Sequence, residues 1–199
     1  MLKFRVLFLV AGMTLSSAPL FAAPVLVHAE PARLKVDWHH FLSAPTHDRL
    51  KAAYAKVKAC TDYDACMHPS KPTTEEADKL AALVARKNIS AVRLAFASYA
   101  LLSENDEGYD DVLPSYGPFI RAFPRKFLRM ARDEGMPDEA IVAAAAATPD
   151  DMNDDYARQL RELTKRRAAL AKVDDADLVA LRDLCLVNVD RMISALTLP

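Results

Sequence analysis

Residues 90 to 102 run Ser90-Ala91-Val92-Arg93-Leu94-Ala95-Phe96-Ala97-Ser98-Tyr99-Ala100-Leu101-Leu102. Val92, Leu94, Ala95, Phe96, Tyr99, Leu101 and Leu102 cover most of a helix's circumference, which suits a central, buried helix, with Ser90 placed to cap it. Around it no stretch shows sustained alternation of β-branched residues, so strands have little support. Beyond the N-terminal leader only Gly108, Gly117 and Gly135 are glycine. The expectation is an all-α protein.

Upstream, Thr73-Thr74-Glu75-Glu76 is a capping box that opens a helix through Ala77, Leu80, Ala81 and Val84. Before that, Leu50, Ala53, Tyr54 and Val57 recur at helical spacing, and Trp38, His39, His40 and Phe41 form an aromatic-rich arm. Downstream, Pro114, Pro118 and Pro124 deny backbone donors, so long helix is excluded until Pro124 starts one. Gly135 can close that helix, and Pro137 opens the next, through Ile141 and the run Ala143 to Ala147. Two long helices follow. The first carries Asp150, Asp151, Asp154 and Asp155 at its start and basic residues near its end, with Asp154–Arg158 and Glu162–Arg166 as i,i+4 pairs. The second begins near Asp174-Asp175 and buries Leu178, Leu181, Cys185 and Met192.

This predicts one domain, residues 30–199, of about seven helices in an antiparallel array. The stretch from Ser90 to Arg132, an apolar helix, an acidic turn and then Phe123-Pro124-Arg125-Lys126-Phe127-Leu128, resembles a HEAT-type helix pair. The resemblance covers about a quarter of the chain, without a fixed-period repeat, and what it implies is the HEAT-like form of the array.

The N-terminus sets the expected compartment. Lys3 and Arg5 precede an uncharged apolar run from Val6 to Leu15, followed by small residues. That is the layout of a cleavable signal peptide, cut after Ala22 or Ala29, and it is shorter than a bilayer-spanning helix. A periplasmic or secreted protein without a lasting membrane anchor is expected. The chain has 26 bases and 27 acids. Without Lys3 and Arg5, 24 bases face 27 acids, a net charge of −3 that makes no electrostatic case for nucleic acid. Cys60 and Cys66 bracket a short loop and are expected to form a disulfide in an oxidising compartment, with Cys185 left free; a long-range bridge to Cys185 is the competing connectivity.

Catalytic signatures are absent: no G-x-S-x-G elbow, no H-E-x-x-H, no phosphate-binding glycine loop. No catalytic residue and no cofactor is assigned. Cys60, Cys66 and His68 are the best metal candidates, but C-x5-C-x-H lacks the spacing of a structural zinc site. The acids Glu104, Asp106, Glu107, Asp110 and Asp111 fail the calcium-loop register, which would put Pro114 at position twelve.

A second block is more informative. Arg121, Arg125, Lys126, Arg129 and Arg132 fall within twelve residues that hold no acid. Arg125, Arg129 and Arg132 form one helical stripe opposite Phe127 and Met130. The two charged blocks either screen each other on a solvated surface or form a bipolar patch in which the arginines engage a partner's carboxylates. With Tyr109 and Tyr116 nearby, the second reading makes Arg121, Arg125, Lys126, Arg129, Arg132, Tyr109 and Tyr116 a partner-binding surface. The function expected is a non-catalytic protein-interaction domain: an immunity factor, an envelope-enzyme inhibitor or a chaperone-like adaptor. A metal- or small-ligand-binding protein is the alternative, and an unrecognised helical hydrolase the third.

Overall fold

The computed structural model describes residues 36–60, 72–102 and 107–197. The expected leader with both candidate cut sites, Cys66, His68, Glu104 and Asp106 lie outside them, as does the side chain of Tyr109. Among the described residues there is no strand, so the all-α expectation holds. No helix among them is long and apolar enough to cross a membrane.

Local chemistry sets most helix ends. Asp37 caps α1 (Trp38–Ser43) by accepting from the His40 amide at 2.8 Å. That helix buries Trp38, Phe41 and Leu42 and leaves His39 and His40 at the surface, so the aromatic arm is packing material. Thr46 caps α2 (His47–Ala59), which buries Leu50, Ala53 and Val57. The expected capping box opens α3 (Thr74–Ala85): the Glu76 amide donates to Thr73 Oγ1 and the Thr73 amide donates to Glu76 Oε2. The central helix α4 (Ile89–Leu102) begins two residues early, because Asn88 and not Ser90 is its cap. Asn88 Oδ1 accepts from the amides of both Ser90 and Ala91 at 3.1 Å.

The proline-rich stretch holds more structure than its sequence announces. Glu107–Tyr116 winds as a 3-10 helix containing Pro114, and α5 (Gly117–Ala122) follows at once with Pro118 in its first turn. Prolines forbid long α-helix but tolerate short pieces and first turns. With the short α5 from this stretch and α1 from the aromatic arm, nine α-helices stand among the described residues where about seven were expected. Pro124 opens α6 (Pro124–Asp133). Gly135, at φ +82°, then lets the Gly135 amide reach the Arg132 carbonyl and the Met136 amide reach Ala131, a paired closure that needs the left-handed backbone. The next helix, α7 (Asp138–Ala146), starts from Pro137 as expected.

Two details of the C-terminal helices differ from expectation. Asp150–Met152 forms a separate 3-10 turn, and Asp155 is the cap of α8 (Tyr156–Leu170), so Arg158 pairs with Asp151 at 2.9 Å and not with Asp154. The last helix, α9 (Val179–Thr197), starts after the turn 174–178, and Met192 is only half-buried. Cys185 is a free, fully buried thiol, which removes the long-range bridge to it. Burial, with a smaller contribution from Asp138, pushes its pKa up to about 12. Cys60 is buried at the end of α2.

Three aromatic rings join the central helix to the middle of the chain. Phe96 stacks on Tyr116 at 4.7 Å between centroids and meets Phe127 edge-on at 5.6 Å. Such pairs add about 0.5–1.5 kcal/mol beyond their buried area. Tyr116 is therefore fully buried and gives no side-chain surface to a partner.

The tightest approach is polar. Arg166 of α8 is 1% exposed, and its guanidinium lies against the Cα of Gly117. A Cβ on Gly117 would sit 2.1 Å from Arg166 Nη2. The guanidinium is fixed by Glu162 Oε1 at 3.0 Å and by the Ala145 and Ala147 carbonyls, so it has little freedom to give way. Gly117→Ala is accordingly expected to destabilise the fold by about 1–3 kcal/mol. The readout is a lower urea midpoint at unchanged slope; an unmoved midpoint would show that the guanidinium shifts without cost.

Candidate functional site

The stripe on α6 forms as its spacing predicts. Phe127 and Met130 are buried, while Arg125, Arg129 and Arg132 stand on the exposed face. What the stripe faces was not legible. Its acids come from the turn between α8 and α9, about 45 residues downstream. Arg125 reaches Asp174 at 2.9 Å and also pairs with Asp175. Arg129 reaches Asp175 at 3.0 Å, and Arg132 reaches Asp177 at 3.0 Å. The sequence cue was present in Asp174, Asp175 and Asp177, but only folding brings that turn alongside α6.

The Arg132 hydrogen bond is the largest influence holding the Asp177 carboxyl below its ordinary value of 3.8. The charge of Asp175 first, and its hydrogen bond second, raise Arg125 above its ordinary value. Arg125, Arg132 and Asp177 are exposed and Asp175 is partly buried, so the pairs at the exposed end of the stripe stabilise the molecule only modestly.

Arg121 points elsewhere: it pairs with Glu162 at 2.9 Å, so this carboxylate serves both Arg121 and the buried Arg166. Lys126 is exposed, and neither it nor Lys172 makes an ion pair among the described residues.

Arg125, Lys126 and Arg129 line one wall of a groove of about 520 Å³. Arg93 of α4 and Lys172 contribute further cations, and Asp133 is the single carboxylate in the lining. Its apolar surface comes from Ala122, Phe123, Pro124, Met130 and Val173. Phe123 is 44% exposed at this groove, with its ring tilted against Phe119 at 5.5 Å. A basic rim over an apolar floor, with an exposed aromatic ring, has the composition of a protein-binding patch.

Behind Arg93 lies a second polar cluster that sequence pattern did not reveal. Glu134, at the end of α6, is buried, with its side chain 6% exposed. It accepts from the Tyr54 hydroxyl at 2.7 Å and pairs with Arg93 at 3.2 Å and Lys58 at 3.5 Å. One carboxylate thus ties α2 and α4 to the end of α6. Burial first, and the hydrogen bond to Glu134 second, push the Tyr54 phenol up to about 12.

Among the described residues no group of three His, Cys, Asp or Glu side chains is arranged to hold a metal ion. Of the metal candidates only Cys60 is described; Cys66 and His68 are not. No protein family matches the chain, and neither does any curated protein or solved structure.

Tyr54→Phe is expected to cost about 1–2 kcal/mol, because a buried carboxylate loses a hydrogen-bond donor; an unchanged thermal midpoint would show that Lys58 and Arg93 suffice. The stripe makes a pH prediction. A depressed carboxyl contributes stability that is fully present above the unfolded value and is lost as pH falls through the lower folded value. Protection of the 174–178 turn amides in hydrogen exchange is therefore expected to persist at neutral pH. It should fall as pH drops below about 4, and protection that survives full protonation would show that the arginines do not hold the turn.

Proposed function

We propose that this chain is an exported, non-catalytic protein-interaction domain. Its docking site is the groove along α6, and the segment docked there is acidic. The carrying observation is the groove's lining, five cations against one carboxylate around an apolar floor. Complementary charge steers encounter and fixes register, while Phe123 offers the kind of aromatic anchor that dominates interface energies.

Folding divides the basic set into two classes. Arg125, Arg129 and Arg132 already pair with the turn between α8 and α9, so they hold the groove wall in place. Lys126 and Lys172 line the groove without ion pairs of their own among the described residues and are the side chains available to an acidic segment.

Export rests on Lys3, Arg5 and the apolar run to Leu15, and places the domain in the periplasm or outside the cell. There Cys60 and Cys66 close their short loop as a disulfide, and the array takes a HEAT-like form. The roles that suit such a surface are those of an immunity factor, an envelope-enzyme inhibitor or a chaperone-like adaptor.

The test is a paired pull-down from the exported-protein fraction of the protein's own cells. The double variant Lys126→Glu/Lys172→Glu is expected to retain the partner at least about tenfold less well than the unaltered chain, with an unchanged melting temperature. Retention by the unaltered chain should also fall as salt is raised. Equal retention by both proteins removes the groove as the docking site.

A further inference from the structure

On the opposite side of Arg93, between α2 and the start of α4, lies a second cavity of about 360 Å³. This is within the size range of small-molecule sites, about 300–1,000 Å³. Leu50 and Ile89 give it apolar walls, and Ile89 is 44% exposed, a large side chain left at the surface where a core position would cover it. The remaining lining is rich in donors: Lys51, Arg93, His47 and the hydroxyls of Tyr54 and Ser90.

Two facts give this cavity a sign. No carboxylate is among its lining residues. The side chains of His47, Lys51 and Ser90 make no hydrogen bond or ion pair among the described residues. Glu134 stands behind the wall and is already occupied: it accepts from Tyr54 and pairs with Nε of Arg93. That ion pair holds Arg93 through Nε, on a half-exposed side chain, and leaves its terminal nitrogens without a hydrogen bond among the described residues. A guanidinium anchored in this way is oriented in advance for a second, planar oxyanion.

We infer that this cavity is a binding site for a small amphiphilic carboxylate. Lys51 and the free edge of Arg93 take the carboxylate, and Leu50 and Ile89 cover a short aliphatic tail. Charge fixes the head and apolar burial rewards the tail, so neither part alone is a good ligand. The site is separate from the α6 groove and does not depend on that groove's function; the two share only Arg93.

The experiment is a titration of the protein with hexanoate, followed through the backbone amide signals of Leu50, Lys51, Ile89 and Ser90. Hexanol and inorganic phosphate serve as the tail-only and oxyanion-only probes. Hexanoate is expected to shift these signals saturably, and both single-feature probes to bind at least about tenfold more weakly. Lys51→Glu, an exposed position that carries no structural pairing, should weaken hexanoate by at least about tenfold at an unchanged melting temperature. Lys126→Glu/Lys172→Glu should leave hexanoate binding as it is. The inference is overturned if hexanoate produces no saturable shift, if hexanol or phosphate binds equally well, or if Lys51→Glu binds as before.

Discussion

A buried guanidinium holds the second half of the molecule together. Arg166 is removed from water, and burial acts to lower its pKa while Glu162 acts to raise it. An unpaired charge in that position would cost several kcal/mol. The molecule offsets this with Glu162 on the same helix and with the Ala145 and Ala147 carbonyls at the end of α7. Those carbonyls belong to the last turn of a helix, where backbone acceptors lack internal partners and a cation is favoured. Satisfying one buried cation therefore fixes α8 against the end of α7, and Gly117 brings α5 close enough to close the third side. Glu162 then reaches outward to Arg121, so the buried pair is continuous with the surface of α5.

The first half depends on a similar device with the opposite sign. Glu134 is a buried carboxylate served by Tyr54, Lys58 and Arg93, two residues of α2 and one of α4. Between these anchors runs the arginine stripe of α6, laid on Asp174, Asp175 and Asp177. Each of the three arrangements crosses between elements distant in sequence, and two cavities with cationic lining open beside the Glu134 cluster and the stripe. Arg93 borders both cavities because Glu134 holds it between them. The polar contacts that join the helices thus also set where cationic side chains remain unpaired at the surface.

The apolar core needs less explanation. Alanines at Ala140, Ala144, Ala145 and Ala146 are buried, and their small side chains let α7 pack closely. Asn188 of α9 donates to the Val142 carbonyl at 3.0 Å, and Cys185 fills fully buried space on the same helix. Ser98 alone among the side chains of α4 places an unpaired hydroxyl in this interior. Everything else in that helix that is described and buried is apolar or aromatic, in keeping with an element surrounded by protein.

Much of the fold was legible because helix signals are local. A capping box needs only Thr73 and Glu76, a proline start needs only Pro124, and a left-handed closure needs only Gly135. The face of α6 that would be buried followed from spacing alone. Where sequence reading went astray, two local candidates competed or a partner was remote. Asn88 outcompeted Ser90 as a cap, and Asp151 outcompeted Asp154 for Arg158. Tyr116 looked like surface in a polar, proline-rich segment, yet a 3-10 helix turned it onto Phe96. The charges of the stripe could be counted from the chain, and their partners could not. Hydrophobic periodicity and capping act over a few residues, so the sequence determines elements and faces by itself. The pairing of Arg125 with Asp174, the burial of Glu134 and the cleft beside Arg93 depend on which faces meet, and only the tertiary structure decides that.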